Sequence, residues 1–366
     1  MDHTRPSPNP WVADLAPYQP GKAQAPGVKR VVKLSANESV VGPSPAAVAA
    51  CREAAATLER YPDPTATALR EALAAHFGFD PDWIICGAGS DELLHLVVQA
   101  YAGPGDKVLH SRYGFMMYPI SSRAVGAEPV AVPNRDWAAD VDGLLAAVDE
   151  RTKVVFLDNP NNPTGACLPG SEVRRLAESL PPHVVLVHDA AYAECVDQPD
   201  YEDGIALARD FPNVFTTRTF SKLYGLAALR VGWGVADPRL LDPMHRIRPP
   251  FNVTSPGQAA ARAALADQEH LAKAREFTIR ERRRLAAGLA RIGLEVVPSE
   301  TNFLLVRFPD EAPHRAEDAN NWLARHGYLV RWLPGQGLAD SLRITIGEEA
   351  DNNAIIALLE EFMAQA

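Results

Sequence analysis

The sequence predicts an α/β fold: a large domain with a mainly parallel sheet flanked by helices, a smaller α+β domain, and an N-terminal arm. Three observations carry this. Short apolar, β-rich runs alternate with helical patterns between residues 45 and 255, the alternation that builds parallel sheets covered by helices on both faces. After residue 256 the pattern changes to a long Ala/Arg/Glu-rich helical stretch, then to mixed strands and helices. Residues 1–44 are irregular and rich in Pro, Gly and Ser, as an arm would be. The expected division is an arm at 1–44, a large domain at 45–255 and a small domain at 256–366.

The elements follow in order. "DWIICG" reads as a strand, and "AGSDE" as the turn into the helical "LLHLVVQAYA". "DKVLHS", "EPVAVP", "TKVVFLDN", "VVLVHD", "VFTTRTF" and "VGWGVAD" are β-rich runs bounded by turn residues. The helical "VDGLLAAVDE" and "GSEVRRLAESL" separate several of them. In the smaller domain one helical stretch runs to about residue 293. It is followed by "LEVVPS", "NFLLVRF", a helix at 318–326, "YLVRW", "SLRITIG" and a terminal helix. The arm is expected to return to this domain.

Bulk properties narrow the function. The chain has 366 residues, 47% hydrophobic and 22% charged, an ordinary globular composition with enough length for two cores. Its 36 basic and 46 acidic residues give a net charge of −10, which argues against nucleic acid or an anionic membrane as partner. The basic run "RERRR" at 280–284 reads as a solvated helix face. Cys51, Cys86, Cys167 and Cys195 are widely spaced. No disulfide framework and no metal site is expected, and a reducing cytoplasm is the expected compartment. No signal-like or membrane-spanning apolar run stands in the sequence.

Ligands of open parallel sheets bind beyond the carboxyl ends of the strands. The polar residues at those ends are Ser90 and Asp91, Tyr113, Asn162, Asp189 and Tyr192, and Thr219, Ser221 and Lys222. The "GAGSDE" turn offers backbone N–H groups at a helix N-terminus, an anion site. Arg230 and the hydroxyls of Ser221 and Thr219 would complete a phosphate cradle. Lys222 sits alone in the small and apolar "TFSKLYGLAALR", where a depressed pKa would make its amine a nucleophile. An aldehyde-bearing phosphate ester bonded to that lysine explains both amine and cradle, and pyridoxal 5'-phosphate is such a compound. Asp189 would keep its pyridine nitrogen protonated, Tyr192 and Asn162 would bond its ring oxygen, and Tyr113 would stack on its face. Singly, each residue has an ordinary structural explanation. Their joint occurrence at the ends of successive strands favours a site.

"RYPDP", "GAGSDE", "DNPNNPTG", "DAAY", "FSKLYGLAALR", "NF" and "LRITIG" resemble motifs of the class I/II pyridoxal-phosphate aminotransferases. The chain looks most like the histidinol-phosphate aminotransferase branch, from "PYQPGK" to "LRITIG". The resemblance implies the fold of pyridoxal-phosphate-dependent transferases. Lys222 then resembles the lysine that bonds the cofactor, Asp189 the partner of the ring nitrogen, and Tyr192 and Asn162 the ligands of the ring oxygen. Ser90, Asp91, Ser221 and Arg230 fall where the family binds the cofactor phosphate, with Tyr113 as the stacking aromatic. Tyr61 resembles a tyrosine that reaches into the neighbouring subunit's site, which implies a homodimer. A cis bond is implied at Asn162–Pro163.

For substrate, Arg343 matches the family's carboxylate-binding arginine, and Arg331 and Tyr18 resemble the extra phosphate ligands of the branch. The implied reaction is transamination between L-histidinol phosphate and 2-oxoglutarate, in two alternating half-reactions. Ala228 and Ala190 depart from the more usual residues of the family, and Trp332 could shape the pocket toward aromatic substrates. An aromatic or broad-specificity aminotransferase and a phosphothreonine-type decarboxylase remain alternatives, with a non-catalytic cofactor sensor further off.

Overall fold

A computed structural model describes residues 6–13, 15–16, 27–28 and 30–365. Thirteen strands form three sheets among the described residues. They are β1 (Val32–Lys33), β2 (Ile84–Gly87), β3 (Lys107–Ser111), β4 (Glu128–Val132), β5 (Thr152–Asp158), β6 (Val185–Asp189) and β7 (Val214–Thr219). The rest are β8 (Gly232–Val235), β9 (Glu295–Val296), β10 (Phe303–Arg307), β11 (Tyr328–Leu329), β12 (Arg331–Leu333) and β13 (Leu338–Thr345). The seven-stranded sheet has the order β2-β8-β7-β6-β5-β3-β4. Its pairs from β7 to β4 are parallel, while β8 is antiparallel to both β7 and β2.

The expected mainly parallel sheet is therefore present, with one strand reversed. Every residue of β6 and β7 is buried, the consequence of covering both faces, which is why their sequences read as unbroken rather than alternating runs. On one face Leu93, Val97 and Met244 from flanking helices pack on Val187 and Phe215. On the other Val173, Leu176 and Leu207 pack on Val155, Leu157 and Leu186.

The four-stranded sheet is antiparallel, in the order β12-β13-β10-β9. Its core joins Leu304, Leu342 and Ile344 to Leu289, Leu323, Ile355 and Leu359 of the helices over it. β1 pairs in parallel with β11, Val32 with Tyr328 and Lys33 with Leu329.

Two expectations change. The long helical stretch is two helices, Ser255–Ala266 and Gln268–Arg291. Asp267 lies between them and accepts a hydrogen bond from the His270 N–H, capping the second helix. The basic run is also not a solvated face throughout: Arg282 is buried and donates to the carbonyls of Cys195 and Thr301 and to Glu300.

The topology gathers one edge of the large sheet. β3, β5, β6 and β7 end there at Ser111, Asp158, Asp189 and Thr219. Because β8 is reversed, its first residue Gly232 pairs with Thr219 on one side and Gly87 on the other. A Cβ on Gly232 would stand 2.2 Å from the Ser90 nitrogen and 2.4 Å from the Gly89 carbonyl carbon. Both are backbone, so neither can swing away. Gly232→Ala is expected to destabilise the protein by about 1–3 kcal/mol, read as a lowered Tm, and to displace the turn before helix Ser90–Tyr101.

Candidate active site

A cavity of about 260 Å³ opens at this edge. Ser90, Asp91, Asp158, Asn162, Asp189, Tyr192, Thr219, Ser221, Lys222, Arg230 and Arg343 line it, with Lys33, Ser35, Asn37 and Phe115.

At one end stands an anion cradle. Gly89 turns the chain with φ at 85°, a conformation that glycine adopts without strain. The turn opens the 12-residue helix Ser90–Tyr101 at the cavity wall. Arg230 crosses this turn. Its guanidinium donates to Ser221 Oγ at 3.3 Å and to Asp91 Oδ2 at 3.4 Å, and its Nη2 lies 2.5 Å from where a Cβ on Gly89 would be. Arg230 itself has φ at 52°, a left-handed backbone that is uncommon outside glycine and concentrates at functional positions. A helix N-terminus, a guanidinium and hydroxyls around one space suit a phosphate.

The floor is acidic. Asp189 is buried at the end of β6. Tyr118 Oη donates to its Oδ2 at 2.9 Å and Thr217 Oγ1 to its Oδ1 at 3.1 Å. Burial pushes Asp189 up to about 6 and these hydrogen bonds oppose the rise, so it is a carboxylate near neutral pH and a ready partner for a cation. Lys222 Nζ lies 5.5 Å from the Tyr192 ring centroid. Tyr192 Oη accepts from Asn37 Nδ2 at 2.8 Å. Burial raises the Tyr192 phenol above its ordinary value, opposed by the charge of Arg343 and the Asn37 hydrogen bond.

At the other end Arg343 donates from Nη1 to Asn162 Oδ1 at 2.6 Å and from Nη2 to the Ser35 carbonyl at 2.9 Å. The amide oxygen of Asn162 is thereby engaged, which turns its N–H donors to other use. The fold thus joins Ser90, Asp91, Asn162, Asp189, Tyr192, Thr219, Ser221, Lys222, Arg230 and Arg343 around one space.

Two expected residues, Tyr113 and Arg331, stand away from this cavity. Tyr113 does not line the cavity: its ring stacks on Trp137, with centroids 6.0 Å apart, beside Val297, Leu305, Leu333 and Leu338. Phe115, two positions on, is the aromatic that lines the cavity. Arg331 lines a neighbouring cavity of about 730 Å³ with Arg112, Arg123 and Trp332. Tyr61 is 81% exposed and stacks on Phe251, away from Lys222. Tyr18 lies outside the described residues. The cis bonds are at Asn159–Pro160 and Ala312–Pro313, so the one expected at Asn162–Pro163 is corrected.

Sequence reasoning also passed over Phe115, Tyr118, Thr217, Asn37 and Asp158. Asp158 is the last residue of the mostly apolar β5, and Thr217 is one of several hydroxyls in β7. Asn37 in "SANES" carried no signal of its own, because it arrives from the segment before the large sheet.

Comparison with known proteins follows the same line. The family model described as aminotransferase class I and II matches residues 29–359. The histidinol-phosphate aminotransferase of Sphingopyxis alaskensis is 50% identical over 364 residues, 98% of this chain and 98% of that protein. That of Rhodospirillum centenum is 49% identical over 358 residues, 98% of this chain and 99% of that protein. The crystal structure of histidinol-phosphate aminotransferase from Sinorhizobium meliloti, in complex with pyridoxal-5'-phosphate, aligns with a TM-score of 0.84 and 34% identity, covering 91% of each chain.

Proposed function

The chain belongs to the class I and II aminotransferases, and on that premise we propose that it transfers the amino group of L-histidinol phosphate to 2-oxoglutarate. The cofactor is pyridoxal 5'-phosphate, the process histidine biosynthesis and the place the cytoplasm. Relatives of that name at half identity over nearly the whole chain support the reading, as does the cofactor named for the structure from Sinorhizobium meliloti. The observation that carries it is the convergence of a lysine, a buried carboxylate and an anion cradle on one cavity.

The donor set fits this cofactor. Gly89 lets the Arg230 guanidinium, and Gly232 the turn before helix Ser90–Tyr101, close against the backbone and so shape the cradle, and Ser90, Asp91, Thr219, Ser221 and Arg230 line it. Asp189 would hold the ring nitrogen, Tyr192 and Asn162 the ring oxygen, and Phe115 one face. When bound, the cofactor supplies an aldehyde that bonds amines and a ring that accepts the electron pair left when a substrate proton departs.

The chain's own residues do the rest. Lys222 Nζ would hold the cofactor, and its amine would take up and return the proton at the substrate carbon. Asp189, as a carboxylate, would favour a proton on the ring nitrogen. Arg343 binds the substrate's anionic end. Arg331 stands opposite Arg343 across the β12–β13 ladder; its guanidinium would add paired hydrogen bonds to a phosphate, and Tyr18 would add a hydroxyl. In this reading residues 45–255 bind the cofactor, and residues 256–366 with the arm at 1–44 complete the substrate end.

Comparing histidinol phosphate, phenylalanine and tyrosine as amino donors tests the assignment. The expected result is the highest kcat/KM for histidinol phosphate, with ping-pong kinetics toward 2-oxoglutarate. Equal or faster turnover of phenylalanine turns the reading to a broad-specificity aminotransferase. Carbon dioxide release without 2-oxoglutarate turns it to a decarboxylase.

The active form is a homodimer in this reading. Tyr61 and Phe251 stack in the open at 4.5 Å beside the exposed Leu58, a patch that a second copy would cover. Tyr61 would then serve the other subunit's site. Mixing inactive Tyr61→Ala and Lys222→Ala chains after partial unfolding and refolding should restore roughly a quarter of the wild-type activity, since half the dimers are mixed and each has one intact site. No restoration contradicts a shared site.

A further inference from the structure

Asp158 ends β5 and is the register partner of Asp189 on β6. Both carboxyls are buried and both line the cavity, and the chemistry above employs only one of them. A second acid under a cofactor ring is unfavourable unless it has another task, because two neighbouring buried carboxylates repel.

Its hydrogen bonds name the task. Asp158 Oδ1 accepts from Asn161 Nδ2 at 3.0 Å, and Oδ2 accepts from the Asn162 N–H at 2.9 Å. Asn161 Oδ1 in turn accepts from the Thr164 N–H at 3.1 Å and from Thr164 Oγ1 at 2.7 Å. One carboxyl therefore fastens two consecutive residues of the turn, and the second of them, Asn162, projects the amide engaged by Arg343. A lost acceptor here leaves buried donors unpaired and frees the turn to shift.

We propose that Asp158 is a positioning residue for the transamination: its carboxyl anchors the Asn161–Asn162 turn and so fixes the Asn162 amide between Arg343 and the ring oxygen of the cofactor. The inference rests on the proposed function, since that ring oxygen belongs to pyridoxal 5'-phosphate. Side-chain charge agrees with it. Burial pushes Asp158 up to about 8, with the neighbouring Asp189 adding to the rise. The titratable groups facing it are Asp189 from β6 and Tyr118 from the helix Met117–Ala124, whose hydroxyl is held by Asp189. Of the two carboxyls Asp158 is thus the more readily protonated, and Asp189 the one that keeps its charge.

The arrangement carries a stability signature. The unfolded chain ionises this group near the ordinary carboxylate value, whereas the folded chain holds the proton up to about 8. The folded state binds the extra proton across that window, so stability falls as pH rises from about 4 to about 8. An asparagine removes the dependence.

Asp158→Ala and Asp158→Asn, made in the full-length protein and loaded with pyridoxal 5'-phosphate, test the proposal. An amide donor lowers the basicity of a ring oxygen. Its displacement in Asp158→Ala is expected to raise the pH midpoint of the bound cofactor's visible colour change by about one unit, and to lower kcat/KM about tenfold to a hundredfold. Asp158→Asn keeps one acceptor and should show a smaller shift in the same direction. In the cofactor-free protein, the Tm of Asp158→Asn relative to wild type should rise between pH 5 and pH 8. A wild type that takes up no cofactor overturns both this inference and the function it rests on. A coloured wild type whose two variants keep its midpoint and its rate overturns this inference alone.

Discussion

Lys222→Ala is expected to lower kcat by about 10⁴-fold while leaving the fold intact. The loss has two sources. On the proposed function, the variant lacks both the amine that would hold the cofactor and the group that would carry the substrate proton. Lys222 follows β7 at the cavity wall and its charge is not part of the apolar core, so the Tm should stay close to wild type. The cofactor should still bind, because Arg230, Ser221 and the start of helix Ser90–Tyr101 remain. The measurement is steady-state turnover beside cofactor binding followed by absorbance. Retained turnover within tenfold of wild type would remove Lys222 from the chemistry.

Asp189→Asn should lower kcat by about 10²–10³-fold. The asparagine is nearly the same shape and can still accept from Tyr118 or Thr217, which now donate to Asp189 at 2.9 and 3.1 Å. What it cannot do is favour a proton on the ring nitrogen across the floor of the cavity. The defect is therefore electrostatic rather than steric. A cofactor analogue with a fixed positive charge on that nitrogen should restore part of the loss. Equal activity of Asp189→Asn and wild type with the ordinary cofactor would contradict the role.

The sequence made the large sheet legible because its strands are short, apolar and separated by helices, and burial on both faces demands that pattern. It did not disclose that β8 is reversed, since a fully buried strand reads alike in either direction. The helix break at Asp267 was hidden by a composition that is helix-forming on both sides. Of the site, the cradle and the lysine were legible because glycine and a lone amine among apolar residues are unusual at strand ends. "RYGFMMY" offers three aromatics within a few residues, and only the turn after β3 decides that Phe115 lines the cavity. Asp158 escaped notice as the last residue of an apolar strand, although its position opposite Asp189 follows directly from the parallel register. Arg282 looked solvated because it stands in a charged run, of which Arg280 and Arg283 are exposed; the contacts that bury it come from Cys195, Thr301 and Glu300.

The central claim is that Lys222 forms the covalent link to pyridoxal 5'-phosphate, and it has a direct measurement. Purified protein is incubated with the cofactor, reduced with borohydride, digested and mapped by mass spectrometry. The account predicts a visible absorbance band that reduction abolishes, and a reduced adduct on the peptide bearing Lys222. A protein that stays colourless, or an adduct found only on other lysines such as Lys33, would contradict it.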